Sequence, residues 1–364
     1  MAGDERRPRV LLLTGGPLDG TGGCAVRLAS DVLGALPEVD FVWFSRRPGR
    51  ERPPPEHGRP VRVLSGGGGP LGPGRVQSVL AGAVFARRVA LVHAFLTVGR
   101  GFPLFSRLRP LLLGGRPVLH TVAGVPDPRR LAHARPLGMT VALSESMARR
   151  LRSAGFGDVR VVPPMIGPDE WPYLPRPRGL PAVLFTGYHD PGGGAETAID
   201  AAAEAQREGA RFRLVLAMRT RPGQDAAGLA EALRERAGAA GLTDFEVRGH
   251  VGDMHALLAS AHVLLFPPAV LGHADIPLTV LQALASGRPA ILSDLPQFAD
   301  FGHAVLRAPA GDARRTGQQL AWLLDQPRSW DMLAERGRVL VEDHFGPERF
   351  AARYAALYRE LLSP

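Results

Sequence analysis

Short apolar runs alternate with amphipathic stretches along nearly the whole chain, and that alternation leaves few folds open. The first series of strand-like runs is RVLLL (9–13), DFVWFS (40–45), VRVL (61–64), ALVHAF (90–95), PVLHT (117–121), MTVAL (139–143) and VRVVP (159–163). Runs that are apolar at every position suit strands covered on both faces. Between them lie helical patterns such as Gly23–Leu36 and Ser144–Ala154. Strand alternating with helix means a parallel sheet with crossover helices.

The pattern pauses at the proline-dense PPMIGPDEWPYLPRPRGLP (163–181), which reads as a linker. A second series follows: AVLFT (182–186), FRLVLA (212–217), FEVRG (245–249), HVLLF (262–266), AILS (290–293) and AVLRA (304–308). Helices are predicted over Ala195–Glu208, Ala226–Ala239, Leu278–Ala285 and Asp312–Leu324. The fold class is therefore α/β, with two doubly wound, Rossmann-like domains. The expected bounds are 1–165, a linker at 166–181, and 182–345. A last helix at 346–364 carries Phe350, Tyr354, Leu357 and Leu361 on one apolar face. The Pro/Gly-rich stretches 47–60 and 65–74 read as exposed loops. A length of 364 residues suits two such domains.

Composition removes several functions. The net charge of +9 would suit a nucleic acid, but all 44 basic residues are arginine, scattered without a run of five, so no nucleic-acid partner is expected. Lysine and asparagine, both with AT-rich codons, are absent, which points to a GC-rich, bacterial coding sequence. Without lysine there is no Walker-type phosphate loop and no Schiff-base chemistry. The single cysteine, Cys24, permits neither an intrachain disulfide nor a cysteine metal cluster. The histidines lack HExxH spacing, so no metal site is expected. No signal peptide or membrane-spanning run is legible, which makes a cytoplasmic location the default.

Ligands of open parallel sheets bind beyond the carboxyl ends of the strands. TGGPLDGTGG (14–23) follows the first strand, and its Gly15, Gly16, Gly22 and Gly23 allow close backbone approach ahead of a helix N-terminus. GYHDPGGGAE (187–196) does the same after the eighth strand-like run, through Gly187, Tyr188, His189, Gly192, Gly193 and Gly194. Arg219 and Arg221 stand just past a strand end, where a guanidinium fork suits phosphate. His250 follows another strand on the same rim. His93 and His120 lie at strand ends of the first domain. Asp275, just before the helix that begins near Pro277, is either an N-terminal cap or a hydroxyl-binding carboxylate.

Four stretches in this order resemble the group 1 glycosyltransferases of family 4, which have the GT-B fold. They are ALVHAF, VALSESMARRLRSAGFGDVRVVPPMI, FEVRGHVGDMHALLASAHVLLFPP and IPLTVLQALASGRPAILSD. The resemblance covers nearly the whole chain. It implies two domains facing across a cleft, with the last helix crossing back onto the first. It also implies retaining transfer of a sugar from a nucleotide-diphosphate sugar, without a metal or other cofactor. The donor is expected on the second domain, at Gly187 to Gly194, Arg219, Arg221, His250, Ile276, Pro277, Leu278 and Gln282. The acceptor, a small molecule, a glycan or a lipid-linked compound, is expected near Gly15, Gly16, Gly22, Gly23 and His93. Asp275 and His120 are the candidate catalytic residues.

The chain departs from the family pattern at several positions. Ala274 and Gln282 align with its two donor-site glutamates. Tyr188 and Gly193 align with the arginine and lysine that neutralise the diphosphate. Ala123 aligns with a histidine. A transferase-fold protein that has lost catalysis and serves as a binding or partner subunit is therefore the second reading. The segment GRGFPLFSRLRPLLLGGR (99–116) mixes apolar and basic residues. It is a candidate for peripheral contact with the inner membrane face; the alternative is a helix packed on the sheet with arginines outward.

Overall fold

The structure is a computed structural model and describes residues 7–15, 18, 23–45, 58–62, 81–221, 223–270, 272 and 274–363. Gly16, Gly22 and most of the two Pro/Gly-rich stretches lie outside the described residues. The chain forms two compact units. One comprises residues 1–165, 273–275 and 347–364, and the other 166–272 and 276–346.

Among the described residues, the first unit holds a seven-stranded sheet: β1 (Arg9–Thr14), β2 (Asp40–Ser45), β3 (Arg59–Arg62), β4 (Leu91–Phe95), β5 (Val118–Thr121), β6 (Met139–Ala142) and β7 (Val159–Val161). Its order is β3-β2-β1-β4-β5-β6-β7, and every pairing is parallel. The second unit holds six strands: β8 (Ala182–Tyr188), β9 (Arg213–Arg219), β10 (Phe245–Arg248), β11 (Val263–Phe266), β12 (Ala290–Ser293) and β13 (Leu306–Ala308). Its order, β10-β9-β8-β11-β12-β13, repeats the first sheet's logic, again all parallel. Both are doubly wound sheets, and each reverses direction beside its first strand.

Successive strand residues feed opposite cores. Val10 and Leu12 pack with the helix Cys24–Ala35, while Leu11 and Leu13 face the other layer. Leu214, Leu216 and Met218 join the layer of the helix Ala195–Arg207, and Val215 and Ala217 join that of Leu278–Ala285. This two-sided burial is why the strands carry so few polar residues.

Residues 166–181 are not a loose tether. Ile166 and Trp171 are buried in the second unit's core. Trp171 stacks on His255 at 3.9 Å. The buried Arg288 donates two hydrogen bonds to the Pro175 carbonyl, both 3.0 Å. Arg338 donates to the Trp171 and Ala285 carbonyls at 2.7 and 2.8 Å. Prolines remove backbone donors from this segment, and buried arginines accept the task of tying its carbonyls down.

The last helix, Pro347–Leu362, belongs to the first unit and buries Phe350, Tyr354, Leu357 and Tyr358. Before it runs a 19-residue helix, Pro327–Phe345. Its proline start and mixed charges gave no clear stripe in the sequence.

Candidate functional site

The register of β8 against β9 builds the site. Tyr188 lies opposite Arg219 at the carboxyl ends of the two strands. Two residues further along each chain, Asp190 faces Arg221. Its carboxylate accepts from Arg221 Nε at 2.7 Å and from a terminal guanidinium nitrogen at 2.5 Å. The Arg221 guanidinium lies over the Tyr188 ring, 4.5 Å from its centre. Backbone bonds hold the two loops together: His189 N–H donates to the Arg219 carbonyl at 2.8 Å, and the Gln224 amide to the His189 carbonyl at 3.2 Å.

The turn from β8 into the helix Ala195–Arg207 requires its glycines. Gly192 and Gly194 have φ of +69° and +106°, a region costly for other residues. A Cβ on Gly194 would sit 2.9 Å from the Pro267 backbone. Gly194 is the N-cap residue, and no side chain caps the helix. The positive end of a 13-residue helix is therefore presented at this turn. Gly193 N–H donates to the Asp190 carbonyl at 2.9 Å, closing the loop.

A cavity of about 330 Å³ opens at the ends of β8, β9 and β10. Tyr188, His189, Arg219, Arg248 and His250 supply its polar wall, and Leu229 and Leu233 of the helix Ala226–Ala239 its apolar one. The structure thus gathers Tyr188, His189, Arg219 and His250 around one cavity; Gly187, Gly192, Gly193, Gly194 and Arg221 are not among the residues that line it, although Arg221 lies over the ring of Tyr188, which does.

Ile276, Pro277, Leu278 and Gln282 are not among the residues that line it. Ile276 is buried, and Gln282 is half-buried one turn into the helix Leu278–Ala285. That helix has Pro277 as its N-cap residue and no side-chain cap, so Asp275 is not its cap. Asp275 is 2% exposed and groups with the first unit.

The two histidines are not where an acceptor-binding or catalytic reading needs them. His93 is fully buried; its Nδ1 bonds Tyr358 Oη at 2.7 Å and its Nε2 bonds Thr121 Oγ1 at 2.8 Å. Thr121 Oγ1 also lies 3.1 Å from Tyr354 Oη. His93 thus fastens the last helix to the sheet. His120 is fully buried, bonds the Leu96 carbonyl through Nε2 at 3.0 Å, and stacks on Phe102. Burial pushes the His120 pKa down to about 4 and lowers that of His93 well below its usual value. Both are interior packing groups, because His93 is the central residue of β4 and His120 lies inside β5, not at the strand ends where the sequence reading put them. Gly15 is exposed at the end of β1, and Gly23 is exposed as the N-cap residue of Cys24–Ala35.

Sequence reasoning missed Asp190 and Arg248. Asp190 is the one carboxylate between Gly187 and Gly194, but its pairing with Arg221 depends on the strand register. Among the described residues no group of three metal-ligating side chains is present.

Residues 180–326 match the family described as glycosyl transferases, group 1. No curated protein sequence matches the chain significantly. Solved structures do. A glycosyltransferase from Rickettsia africae superposes with a TM-score of 0.76 at 13% identity, covering 98% of this chain and 99% of that one. Anabaena HepE in complex with UDP and glucose gives 0.76 at 12% identity, covering 97% of this chain and 100% of that one. Sucrose-phosphate synthase from Thermosynechococcus elongatus gives 0.75 at 20% identity, covering 98% and 100%.

Proposed function

We propose that this chain, which has the GT-B fold and matches the group 1 glycosyl transferases over residues 180–326, moves a sugar from a nucleoside-diphosphate donor bound at the strand ends of its second unit. The family match and the fold indicate a glycosyl transferase. The donor site, its chemistry and the acceptor are our reading.

One observation carries it. Tyr188 stands where the resembling family has a phosphate-binding arginine, and the Arg221 guanidinium lies 4.5 Å from the centre of its ring. A cation has been returned to that place from the neighbouring strand. In this reading it would act with Arg219 and the uncapped helix at Gly194 on the charge that develops on a departing diphosphate. Preorganised donors to such charge each contribute about 3–4 kcal/mol to the barrier, more than the half charge of a helix end supplies. The adjoining cavity, with an apolar wall and His250 at its rim, would take the nucleoside. HepE has been seen with UDP and with UDP-glucose, which makes a uridine nucleotide the first to test.

Transfer with retention needs no protein base. The bond from the anomeric carbon to phosphate oxygen breaks, the acceptor oxygen attacks the same face, and the leaving phosphate takes the acceptor proton. This suits a chain whose buried histidines stay neutral. The acceptor is a small molecule, a glycan or a lipid-linked compound.

One observation favours a second reading, a transferase fold retained for binding alone. Arg221 is engaged by Asp190, and Ala274 offers no carboxylate to a donor sugar. Calorimetric titration with UDP, GDP and dTDP tests the donor site, and release of the nucleoside diphosphate from the matching nucleotide sugar separates the two readings. We expect micromolar binding of one nucleotide, weakened about tenfold or more in Arg219→Ala/Arg221→Ala. Absence of binding to all three would overturn the catalytic reading. Binding unchanged in the double variant would remove the arginines from the donor site.

A further inference from the structure

The helix Phe102–Leu113 of the first unit is apolar on two sides. Phe102, Ser106 and Leu113 are buried against the sheet layer. On the opposite side, Leu104, Leu108 and Leu111 are 64%, 40% and 70% exposed. Spaced by four and three residues, they share an arc of about 60°. With Val84 at 52%, they are all the strongly exposed large apolar side chains among this unit's described residues.

Cations surround the stripe. Arg100 and Arg107 are exposed beside it. At the helix C-terminus, Arg87 donates to the Leu111 carbonyl at 3.3 Å, Arg116 to the Arg87 carbonyl at 3.1 Å, and Arg109 to the Arg116 carbonyl at 3.1 Å. Three guanidinium groups are gathered there by backbone oxygens. From residue 57 to residue 126 the sequence contains nine arginines and neither Asp nor Glu.

We infer that this face docks on an anionic lipid bilayer, with the three leucines entering the headgroup boundary and the arginines bound to lipid phosphates. The combination decides the partner. A nucleic acid would use the arginines but leave the leucines in water. A second copy of this chain would cover the leucines but oppose two clusters of like charge across a symmetric contact. An anionic bilayer answers both features, apolar depth with negative charge above it. The inference does not depend on sugar transfer and stands or falls separately.

Sedimentation of the full chain with vesicles tests it. We expect retention on phosphatidylcholine vesicles containing phosphatidylglycerol at low salt, and little on phosphatidylcholine alone. Leu104→Ser/Leu108→Ser/Leu111→Ser should reduce that retention about tenfold or more, with an unchanged urea midpoint because these side chains are exposed. Arg87→Gln/Arg107→Gln/Arg116→Gln should reduce it too and flatten its salt dependence. No retention on the anionic vesicles, or retention indifferent to the leucine variant, overturns the inference. So does light scattering that finds a dimer which the leucine variant converts to monomer.

Discussion

At the scale of single residues, polar groups in this chain divide by what surrounds them. His93 sits in the middle of β4 and His120 inside β5, on a sheet covered on both faces. Here both are held neutral inside the first unit. The sign of their effect on stability follows from the lowered values. The unfolded chain protonates its histidines near the usual 6.5, whereas folded His120 resists until about pH 4. Between those values the unfolded state binds the additional proton, so stability is fully present above about 6.5 and falls as the pH drops toward about 4. At 1.36 kcal/mol per unit, the loss from His120 is at most about 3–4 kcal/mol. Urea unfolding should show this decline, and His120→Gln should flatten it without abolishing it, since His93 is also kept neutral. An identical pH slope in the variant would mean that His120 is not the titrating group.

Residue identities also show the limit of reading the site from sequence. The glycines of the Gly192–Gly194 turn, and Arg219 and Arg221 at and just past the end of β9, are legible because strand ends and turn residues announce themselves. The Asp190–Arg221 pair and the seating of Arg221 on Tyr188 are not, since both depend on which residue of β9 lies opposite Tyr188. A shift of one residue would turn the guanidinium to the other face of the sheet.

At the scale of elements, the strands were nearly all legible, because burial on both faces leaves an unbroken apolar run. The starts of β3 and β13 differ: β3 begins at Arg59 rather than Val61, and β13 at Leu306 rather than Ala304. For β3, a glycine and a proline at its start, Gly58 and Pro60, do not advertise an edge strand. The helix Pro327–Phe345 was missed because its buried residues, among them Trp330, Gly337 and Phe345, are separated by charge. Small residues in helices carry meaning that propensity alone reverses. Gly317 lies in Ala313–Asp325, where a Cβ would come 2.5 Å from the Ala201 carbonyl oxygen and 2.6 Å from Glu204 Cβ. Alanine is worth about 1 kcal/mol over glycine in a helix. Forcing two packed helices apart costs about 1–3 kcal/mol. Gly317→Ala should therefore destabilise the protein. Gly238→Ala should stabilise it by about 0.5–1 kcal/mol, since nothing lies within 4 Å of its Cβ position in Ala226–Ala239. Chemical denaturation of the two variants should give shifts of opposite sign; a shared sign would mean that propensity, not packing, governs both sites.

At the scale of the whole molecule, two sheets with the same strand order account for the double series of apolar runs, and the helix that follows the first strand of each accounts for the position of the two glycine-rich stretches. The chain's charge belongs to this scale as well. An excess of +9 carried wholly by arginine never titrates away in the accessible pH range. If the proposed donor site is right, a nucleoside diphosphate approaching Arg219 and Arg221 would be drawn by that field in addition to its contacts, and salt would weaken both terms. Raising NaCl from about 0.05 to about 0.5 M should thus weaken UDP binding several-fold, because the screening length falls from more than 10 Å to about 4 Å. Uridine, which has the same base and ribose but no charge, should bind the cavity with an affinity nearly independent of salt. Titrating both ligands across that range separates the phosphate contacts from the nucleoside pocket in one protein. A salt dependence equal for the two would place the sensitivity in the protein's own conformation rather than in the arginines at the strand ends.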